Sequence, residues 1–317
     1  MLLSRPNTIF LEDIVSIPYF LRIVNPFPKI PLNLLTILQR FDIIFLFNSV
    51  PLEVLMKYPL WQDNIPLYDE AIGQHPCLTA YPVKDAKTVV LICPGGGYEH
   101  LCMDKEGEWI ARMYNENGIS AFVLEYRLAP YHYPAQLYDV LRAVRTVRFL
   151  SDTYGYDQNR IAILGFSAGG HLASMALTHF DYGKDDGDEI DALSSRPDLG
   201  ILCYPVITMG EFTHLGSRNA LLGDKRNDSE LISFLSSELA VKDDTPPCFL
   251  IHTREDDCVP VQNSMKMAEA LQNKKIPFEL HIFPYGYHGF GYGVDDYTRH
   301  AGQWASLSVR YIKDYFS

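Results

Sequence analysis

The chain has 317 residues, of which 47% are hydrophobic and 21% charged, so it can build a sizeable core and does not have the composition of a disordered protein. Its formal net charge is -12 and it contains no basic stripe, which excludes nucleic acid as an expected partner. The six cysteines lack C-x-x-C spacing, so we expect free thiols in a reducing compartment rather than a zinc site.

The N-terminal residues differ from the rest of the chain. They contain no apolar run long enough for a secretory signal or a membrane span, so we expect a cytoplasmic protein. Residues 32–47 read LNLLTILQRFDIIFLF and are apolar nearly all round, which predicts a helix that must be covered. That helix is either a lid or a contact in a homo-oligomer, or else it packs in the core. We therefore divide the chain into an N-terminal extension, residues 1–60, and a second domain, residues 61–317.

Strand-like and helix-like stretches alternate from residue 77 onward. The predicted strands are KTVVLIC, ISAFVLEYRL, RIAILGF, LGILCYPVI, PCFLIHT and FELHIFP. The predicted helices are GEWIARMYNENG, PAQLYDVLRAVRTVRFLSDTYG, SAGGHLASMALTHF, VQNSMKMAEALQNKK and AGQWASLSVRYIKDYFS. This alternation predicts an α/β fold, with a mostly parallel, doubly wound sheet and helices on both faces. Residues 205–245 break the alternation, and we expect them to form an insertion that lines a binding pocket.

The segment GFSAGG, residues 165–170, lies directly between a predicted strand and a predicted helix. It fits G-x-S-x-G, in which a tight turn exposes the serine and larger neighbours would clash. This context favours Ser167 as a nucleophile over a glycine-rich helix start with an idle serine. In such a sheet, functional groups lie on the loops at the carboxyl ends of the strands.

A serine hydroxyl needs a base, usually an oriented histidine. Three histidines follow the acidic stretch near residue 256. His281 alternates with apolar residues inside a strand, and His300 lies in a polar stretch that we expect to be solvated. His288 follows the last strand in a glycine-rich loop, YGYHGFGYG, and is our predicted base. His171, close to Ser167, is expected to pack rather than to catalyse.

The segment CPGGGYEHL, residues 93–101, directly follows another predicted strand. Its glycines leave backbone N–H groups free to face a developing negative charge. We predict that Gly96 and Gly97 form an oxyanion hole together with the N–H of Ala168. A phosphate loop is disfavoured because G-K-[ST] is missing, but a merely tight turn stays open.

Three further segments carry polar or charged residues that need an interpretation. Tyr98, Glu99 and His100 either rim an acyl pocket or form a surface turn. KDDGDEID, residues 184–191, suggests a metal site, but we favour a solvated acidic loop. HTREDDCVP, residues 252–260, follows a strand and is therefore placed to supply the acid of a Ser-His-acid triad. Its three adjacent acids are Glu255, Asp256 and Asp257.

From about residue 75 to its end, the chain resembles the esterase branch of the α/β-hydrolases related to bacterial acetyl-xylan and feruloyl esterases. The matching segments include CPGGGY, EYRLAP, DQNRIAILGFSAGGHLAS, DDCVPVQNS and PFELHIFPYGYHGFG. The resemblance implies an α/β-hydrolase fold and a reaction without cofactor or metal. It implies Ser167 as nucleophile, His288 as base and Asp256, which begins D-x-x-V-P, as acid. Asp257 is the alternative acid if the loop turns differently, and Glu255 and Asp257 are otherwise expected to be solvated or to cap the next helix.

The function implied is hydrolysis of short acyl esters by a serine carboxylesterase acting on a small ester or acylated sugar, such as an acetylated xylo-oligosaccharide. A peptidase or amidase of the same fold is an alternative, although it usually needs a specificity domain, and no repeat that would form one is present. A non-catalytic binding protein on a hydrolase scaffold is another, and it predicts the loss of a triad member.

Overall fold

The structure, a computed structural model, describes residues 21–23 and 54–317 except residue 186. The chain divides into two units, Met1–Tyr58 and Pro59–Ser317. Strand β1 (Leu21–Ile23) pairs antiparallel with β2 (Val54–Pro59). The apolar helix predicted at residues 32–47 lies outside the described residues, as do residues 1–20 and 24–53 of the predicted extension.

The second unit is built on a sheet of mostly parallel strands. They are β3 (Cys77–Tyr81), β4 (Val89–Cys93), β5 (Ser120–Glu125), β6 (Ile161–Phe166), β7 (Leu199–Cys203), β8 (Cys248–Thr253) and β9 (Phe278–Phe283). Their spatial order is β3-β5-β4-β6-β7-β8-β9, in which β3 is antiparallel to β5 and the other pairs are parallel. The α/β fold with a mostly parallel sheet is therefore confirmed.

Strand β4 shows why these residues form a central parallel strand. Val89 lies opposite Ser120 of β5 on one side and opposite Ile161 of β6 on the other. All five side chains of β4 are buried. A strand covered on both faces is a continuous apolar run rather than an alternating one, which is the pattern of VVLIC.

The helices of the second unit connect and cover these strands. They are α1 (Trp109–Glu116), α2 (Ala135–Phe149), α3 (Ser151–Tyr154), α4 (Ser167–Thr178), α5 (Leu215–Leu222), α6 (Ser229–Phe234), α7 (Gln262–Asn273) and α8 (Trp304–Tyr315). The predicted single helix over residues 134–155 is instead two, α2 and α3, and the second ends at Gly155 with a φ of 78°. The predicted insertion at 205–245 contains α5 and α6.

Helices cover both faces of the sheet, as the alternation predicted. The chain passes from β4 to β5 in one direction along the sheet and from β5 to β6 in the other, so right-handed crossovers put α1 and α2 on opposite faces. Helix α8 lies with α1, because the hydroxyls of Tyr114 and Ser308 are 2.8 Å apart.

The acidic run at residues 184–191 is anchored rather than simply solvated. The Arg142 side chain of α2 is only 4% exposed, and its Nη2 lies 2.5 Å from Asp188 Oδ2. Its Nη1 lies 3.0 Å from Asp191 Oδ1. A guanidinium this deeply buried needs carboxylate partners. The acidic loop is largely exposed, in agreement with the solvated loop that we favoured, and two of its carboxylates in addition pair with Arg142.

Candidate active site

The predicted site residues all lie beyond the carboxyl ends of parallel strands. Ser167 directly follows β6, and Asp256 and His288 follow β8 and β9. A fourth segment, residues 94–98, follows β4 and is called the glycine loop here. Because parallel strands end at one edge, this topology brings four distant parts of the chain together.

Ser167 occupies a tight turn between β6 and α4. Its φ is 52°, in the left-handed region that non-glycine residues rarely adopt, and the residue is 8% exposed. The turn leaves no room beside it, since a Cβ added at Gly169 would lie 2.2 Å from the carbonyl oxygen of Cys93. Such local strain holds the hydroxyl at the end of the strand, clear of the helix.

Ser167, His288 and Asp256 form a hydrogen-bonded relay. His288 Nε2 lies 2.8 Å from Ser167 Oγ, and His288 Nδ1 lies 2.7 Å from Asp256 Oδ2. A carboxylate only accepts, so Nδ1 carries the proton that faces Asp256. In the neutral ring, Nε2 then accepts from the Ser167 O–H. The serine therefore faces the basic nitrogen of an oriented imidazole.

The Asp256 carboxylate is buried and well supplied with donors. Its Oδ1 accepts the N–H groups of Cys258 at 3.0 Å and Val259 at 2.8 Å. His252 Nε2 lies 3.3 Å from its Oδ2. Burial acts to raise the pKa of Asp256, but the bonds from His252, His288 and Val259 outweigh it and hold the pKa well below its usual range. Asp256 is therefore ionised in the relay.

The neighbouring acids of the same loop lie elsewhere. Asp257 is exposed, whereas Glu255 accepts a hydrogen bond from the Tyr297 hydroxyl. Of the other histidines considered, His281 bonds Glu279 on β9 with an Nε2–Oε2 distance of 2.9 Å. His300 is exposed and packs against the ring of Phe283. The structure thus brings only Asp256 and His288, among the described candidates, to Ser167.

The glycine loop lies beside Ser167. Gly96 and Gly97 have positive φ angles of 133° and 69°, and their N–H groups donate to no described residue. The N–H of Ala168 lies in the first turn of α4, where helical N–H groups have no partner within the helix. These three amides are the oxyanion donors predicted from the sequence. The glycine loop and the start of α4 place them at the same edge of the sheet.

The family profile of BD-FAE matches residues 79–271. The chain belongs to the BD-FAE family. It is 42% identical over 245 residues to endo-1,4-beta-xylanase B of Butyrivibrio fibrisolvens, covering 75% of this chain and 38% of that protein. It is 33% identical over 250 residues to the acetylxylan esterase of Xylanibacter ruminicola, covering 76% and 49% respectively. This BD-FAE chain thus spans half or less of the length of these two relatives.

A solved structure extends the comparison to the whole fold of that BD-FAE unit. The acetyl ester-xyloside bifunctional hydrolase from Caldicellulosiruptor lactoaceticus matches with a TM-score of 0.78 and 46% identity, over 81% of this chain and 95% of that one. The α/β-hydrolase fold and the membership of a family of carboxylic ester hydrolases, both implied by the resemblance, are confirmed. Among the described helices of the BD-FAE chain, none has the length and apolar character to cross a bilayer.

Tyr98 has a place in the BD-FAE site that the sequence did not indicate. It is fully buried rather than part of a surface turn or pocket rim, whereas Glu99 and His100 are exposed. The Tyr98 hydroxyl lies 2.8 Å from His171 Nδ1, and His171 Nε2 lies 2.8 Å from the carbonyl oxygen of Leu235. A carbonyl only accepts, so Nε2 donates and Nδ1 accepts from Tyr98. His171 packs, as expected, and links the glycine loop to the insertion.

Three further residues of the BD-FAE site escaped the sequence analysis. They are His252, which supports Asp256, and the buried pair Glu106 and Tyr204. The signal for His252 was its position four residues before Asp256 at the end of a strand. Glu106 lies in KEGEW, just after the glycine loop, where its apolar surroundings were not evident from the sequence.

Proposed function

We propose that this chain is a serine carboxylesterase that hydrolyses short acyl esters, in particular acetyl groups on xylan-type carbohydrate. The observation that carries the proposal is the relay from Ser167 through His288 to Asp256, set beside the free amides of the glycine loop. A nucleophile, a base, an orienting acid and oxyanion donors are together the equipment for acyl transfer.

The reaction begins when the ester carbonyl carbon approaches Ser167 Oγ. The Ser167 proton passes to His288 Nε2 as the Oγ–C bond forms, and the carbonyl oxygen becomes an oxyanion. The N–H groups of Gly96, Gly97 and Ala168 receive that charge. Collapse of the tetrahedral intermediate breaks the C–O bond to the alcohol, which leaves with the proton from Nε2. Ser167 then carries the acyl group.

Water completes the cycle by the same route. His288 Nε2 takes a proton from the water, whose oxygen attacks the acyl carbon and forms a second oxyanion in the same place. That intermediate releases the carboxylic acid and returns the proton to Ser167. Asp256 stays ionised throughout, and its charge stabilises the imidazolium that forms in each half of the cycle.

The substrate class rests on the relatives. One of them is named an acetylxylan esterase and another an acetyl ester-xyloside hydrolase. We infer an acetylated xylo-oligosaccharide as the substrate, and no feature of the described residues favours a peptidase. A homo-oligomer and a cytoplasmic location stay predictions from the sequence. Rates on acetyl, butyryl and feruloyl esters and on acetylated xylan test the substrate class, with acetyl esters expected to react fastest.

Replacing the nucleophile tests the mechanism. Ser167→Ala should lower kcat on p-nitrophenyl acetate by at least about 1000-fold and abolish labelling by a fluorophosphonate, because no other hydroxyl faces His288 Nε2 among the described residues. Ser306→Ala removes an exposed hydroxyl on α8 and serves as the control. Near wild-type hydrolysis by Ser167→Ala would contradict the assignment, and a folded wild-type protein that resists the label would favour a non-catalytic scaffold.

A further inference from the structure

A buried carboxylate lies behind the glycine loop and takes no part in the relay. Glu106 belongs to a π-helical turn, Asp104–Glu108, and is 2% exposed. Its Oε2 accepts the N–H of Gly95 at 2.9 Å, and its Oε1 accepts the hydroxyl of Tyr204 at 2.8 Å. A carboxyl group buried this deeply is costly unless its bonds repay the lost hydration. Its position at the site therefore calls for an explanation.

The first bond fixes the start of the glycine loop against the nucleophile. A Cβ added at Gly95 would lie 2.7 Å from Glu106 Oε2 and 3.0 Å from the Cβ of Ser167. Gly95 is therefore packed between the carboxylate and the nucleophile, with no space for a side chain on either side. A shift of the carboxylate moves Gly95, and with it the two amides that follow in the loop.

The second bond reaches the loop that carries His288. The Tyr204 hydroxyl donates to Glu106 and accepts the N–H of Gly291 at 2.9 Å. The Tyr204 ring also meets the His288 ring edge-to-face, with centroids 5.1 Å apart. Gly291 is held from its other side, because its carbonyl accepts the indole N–H of Trp304 at 2.9 Å. One carboxylate thus ties the oxyanion donors and the base to a common point.

The chemistry of the network suits a fixed support. Burial raises the pKa of Glu106, while bonds from Tyr204 and Gly95 act in the opposite direction. Burial also raises the pKa of Tyr204 well above its usual range, so the phenol keeps its proton and remains a donor. Other titratable groups around the carboxylate are Lys105, Cys102, Tyr126, Cys203 and His288. Both carboxylate oxygens accept a hydrogen bond, one from a backbone N–H and one from a phenol, so the group is held at two points.

We propose that Glu106 is a positioning residue. Through Gly95 and Tyr204 it fixes the positions of the oxyanion donors and of the His288 loop relative to Ser167. This role rests on the proposed esterase function. It differs from a purely structural role because these positions affect the stabilisation of the transition state and not the binding of the substrate. A misplacement of about 1 Å is enough to cost about 100-fold in rate.

Glu106→Gln is the principal test. The glutamine has nearly the same shape but offers one acceptor and one N–H₂ group, so it cannot accept from both Gly95 and Tyr204. We expect kcat on p-nitrophenyl acetate, per site titrated with a fluorophosphonate, to fall by about 100-fold while KM changes by less than about threefold. The inhibition constant of a trifluoromethyl ketone, which forms an oxyanion on Ser167, should rise by a similar factor.

Two companion variants make the result decisive. Tyr204→Phe keeps the ring against His288 but loses the hydroxyl, and we expect a smaller fall in kcat of about 10-fold. It also provides the test if Glu106→Gln does not fold. Glu108→Gln is the matched control, because Glu108 lies in the same turn but pairs with Arg112 at the surface, and its kcat should equal that of the wild type.

Wild-type kcat per titrated site in Glu106→Gln and Tyr204→Phe, with or without lower stability, would overturn the proposal. So would a kcat loss unaccompanied by weaker binding of the ketone. Failure of the esterase function itself looks different, since the wild-type protein would then neither hydrolyse the ester nor take the label.

Discussion

The glycine loop and the loop carrying His288 serve the same site but differ in how much of their support is buried. In the glycine loop the working groups are backbone amides, and buried side chains fix them from both ends. Glu106 holds Gly95, and Tyr98 bonds His171. Backbone amides have no rotamers of their own, so only their surroundings can aim them. That requirement explains why buried polar groups, costly elsewhere, lie behind this loop.

The histidine loop, residues 284–297, is held by the buried bonds of Gly291 to Tyr204 and Trp304 and also by bonds at the surface. The Tyr287 hydroxyl donates to Asp295 Oδ2 at 2.6 Å, and Tyr297 donates to Glu255. Both tyrosines are about half exposed, at 48% and 53%. Here the working group is one side chain, which Asp256 orients directly. The histidine loop therefore tolerates solvent around its two tyrosines, while Asp256 and the buried bonds of Gly291 hold the side of the loop that carries His288.

The largest effect is expected from a substitution that disrupts the orientation of His288. Asp256→Asn replaces an acceptor that holds the Nδ1 proton with an amide, which favours the wrong tautomer of His288. We expect kcat on p-nitrophenyl acetate to fall by about 10 000-fold, as for the corresponding change in Ser-His-Asp enzymes. Steady-state kinetics with active-site titration measure it.

Asp257→Asn is the matched control, one residue away and exposed. Its kcat should stay within about twofold of the wild type, because surface substitutions away from a site have small effects. Equal losses in the two variants would mean that Asp256 is not the orienting acid.

Substitutions in the glycine loop should lower kcat by a smaller factor, because several amides stabilise the oxyanion together. A Cβ at Gly96 would lie 2.1 Å from the carbonyl oxygen of His100, and Gly96 has a φ of 133°. Gly96→Ala must therefore displace the loop, and we expect kcat to fall by about 100-fold, the size of a lost oxyanion donor. Gly97 has a φ of 69° and open space around its Cα, so Gly97→Ala is the milder partner.

Gly97→Ala carries only the left-handed backbone cost of about 1 kcal/mol, and we expect kcat to change by less than about fivefold. Comparison of kcat and of the urea midpoint in the two variants separates displacement of the amides from loss of stability. If Gly97→Ala is the more damaging to kcat, the oxyanion donors are not arranged as proposed.

The two loops also differ in how far the sequence revealed them. The alternation of strands and helices predicted the sheet, and with it the edge where Ser167, Asp256 and His288 meet, because strand ends are local signals. Glu106 and Tyr204 were missed, since their bonds join residues 98 positions apart in sequence and leave no periodic trace. Tyr98 was wrongly placed at a surface for the same reason. Loop positions indicate Ser167 and His288, and the family resemblance selects Asp256 among three adjacent acids. The support of this relay depends on packing that no single segment encodes.

The far end of the glycine loop gives the smallest effect, and it depends on pH. Burial lowers the pKa of His171 to about 4, although its bond to Leu235 acts to raise it, and the ordinary value is 6.5. Between about pH 6.5 and pH 4, His171 is therefore protonated in the unfolded chain but stays neutral in the folded chain. The stability contributed by neutral His171 is full above pH 6.5 and is lost as the pH falls to about 4.

The loss is at most about 3 kcal/mol in the free energy of unfolding, from the shift of the pKa. Urea unfolding at pH 7, 6, 5 and 4 measures it, with His171→Gln as the comparison, since glutamine keeps an acceptor and a donor but does not titrate. The wild type should lose stability toward pH 4 more steeply than the variant by about this amount. Parallel curves for the wild type and the variant would show that protonation of other groups, and not of His171 behind the glycine loop, causes the loss of stability in acid.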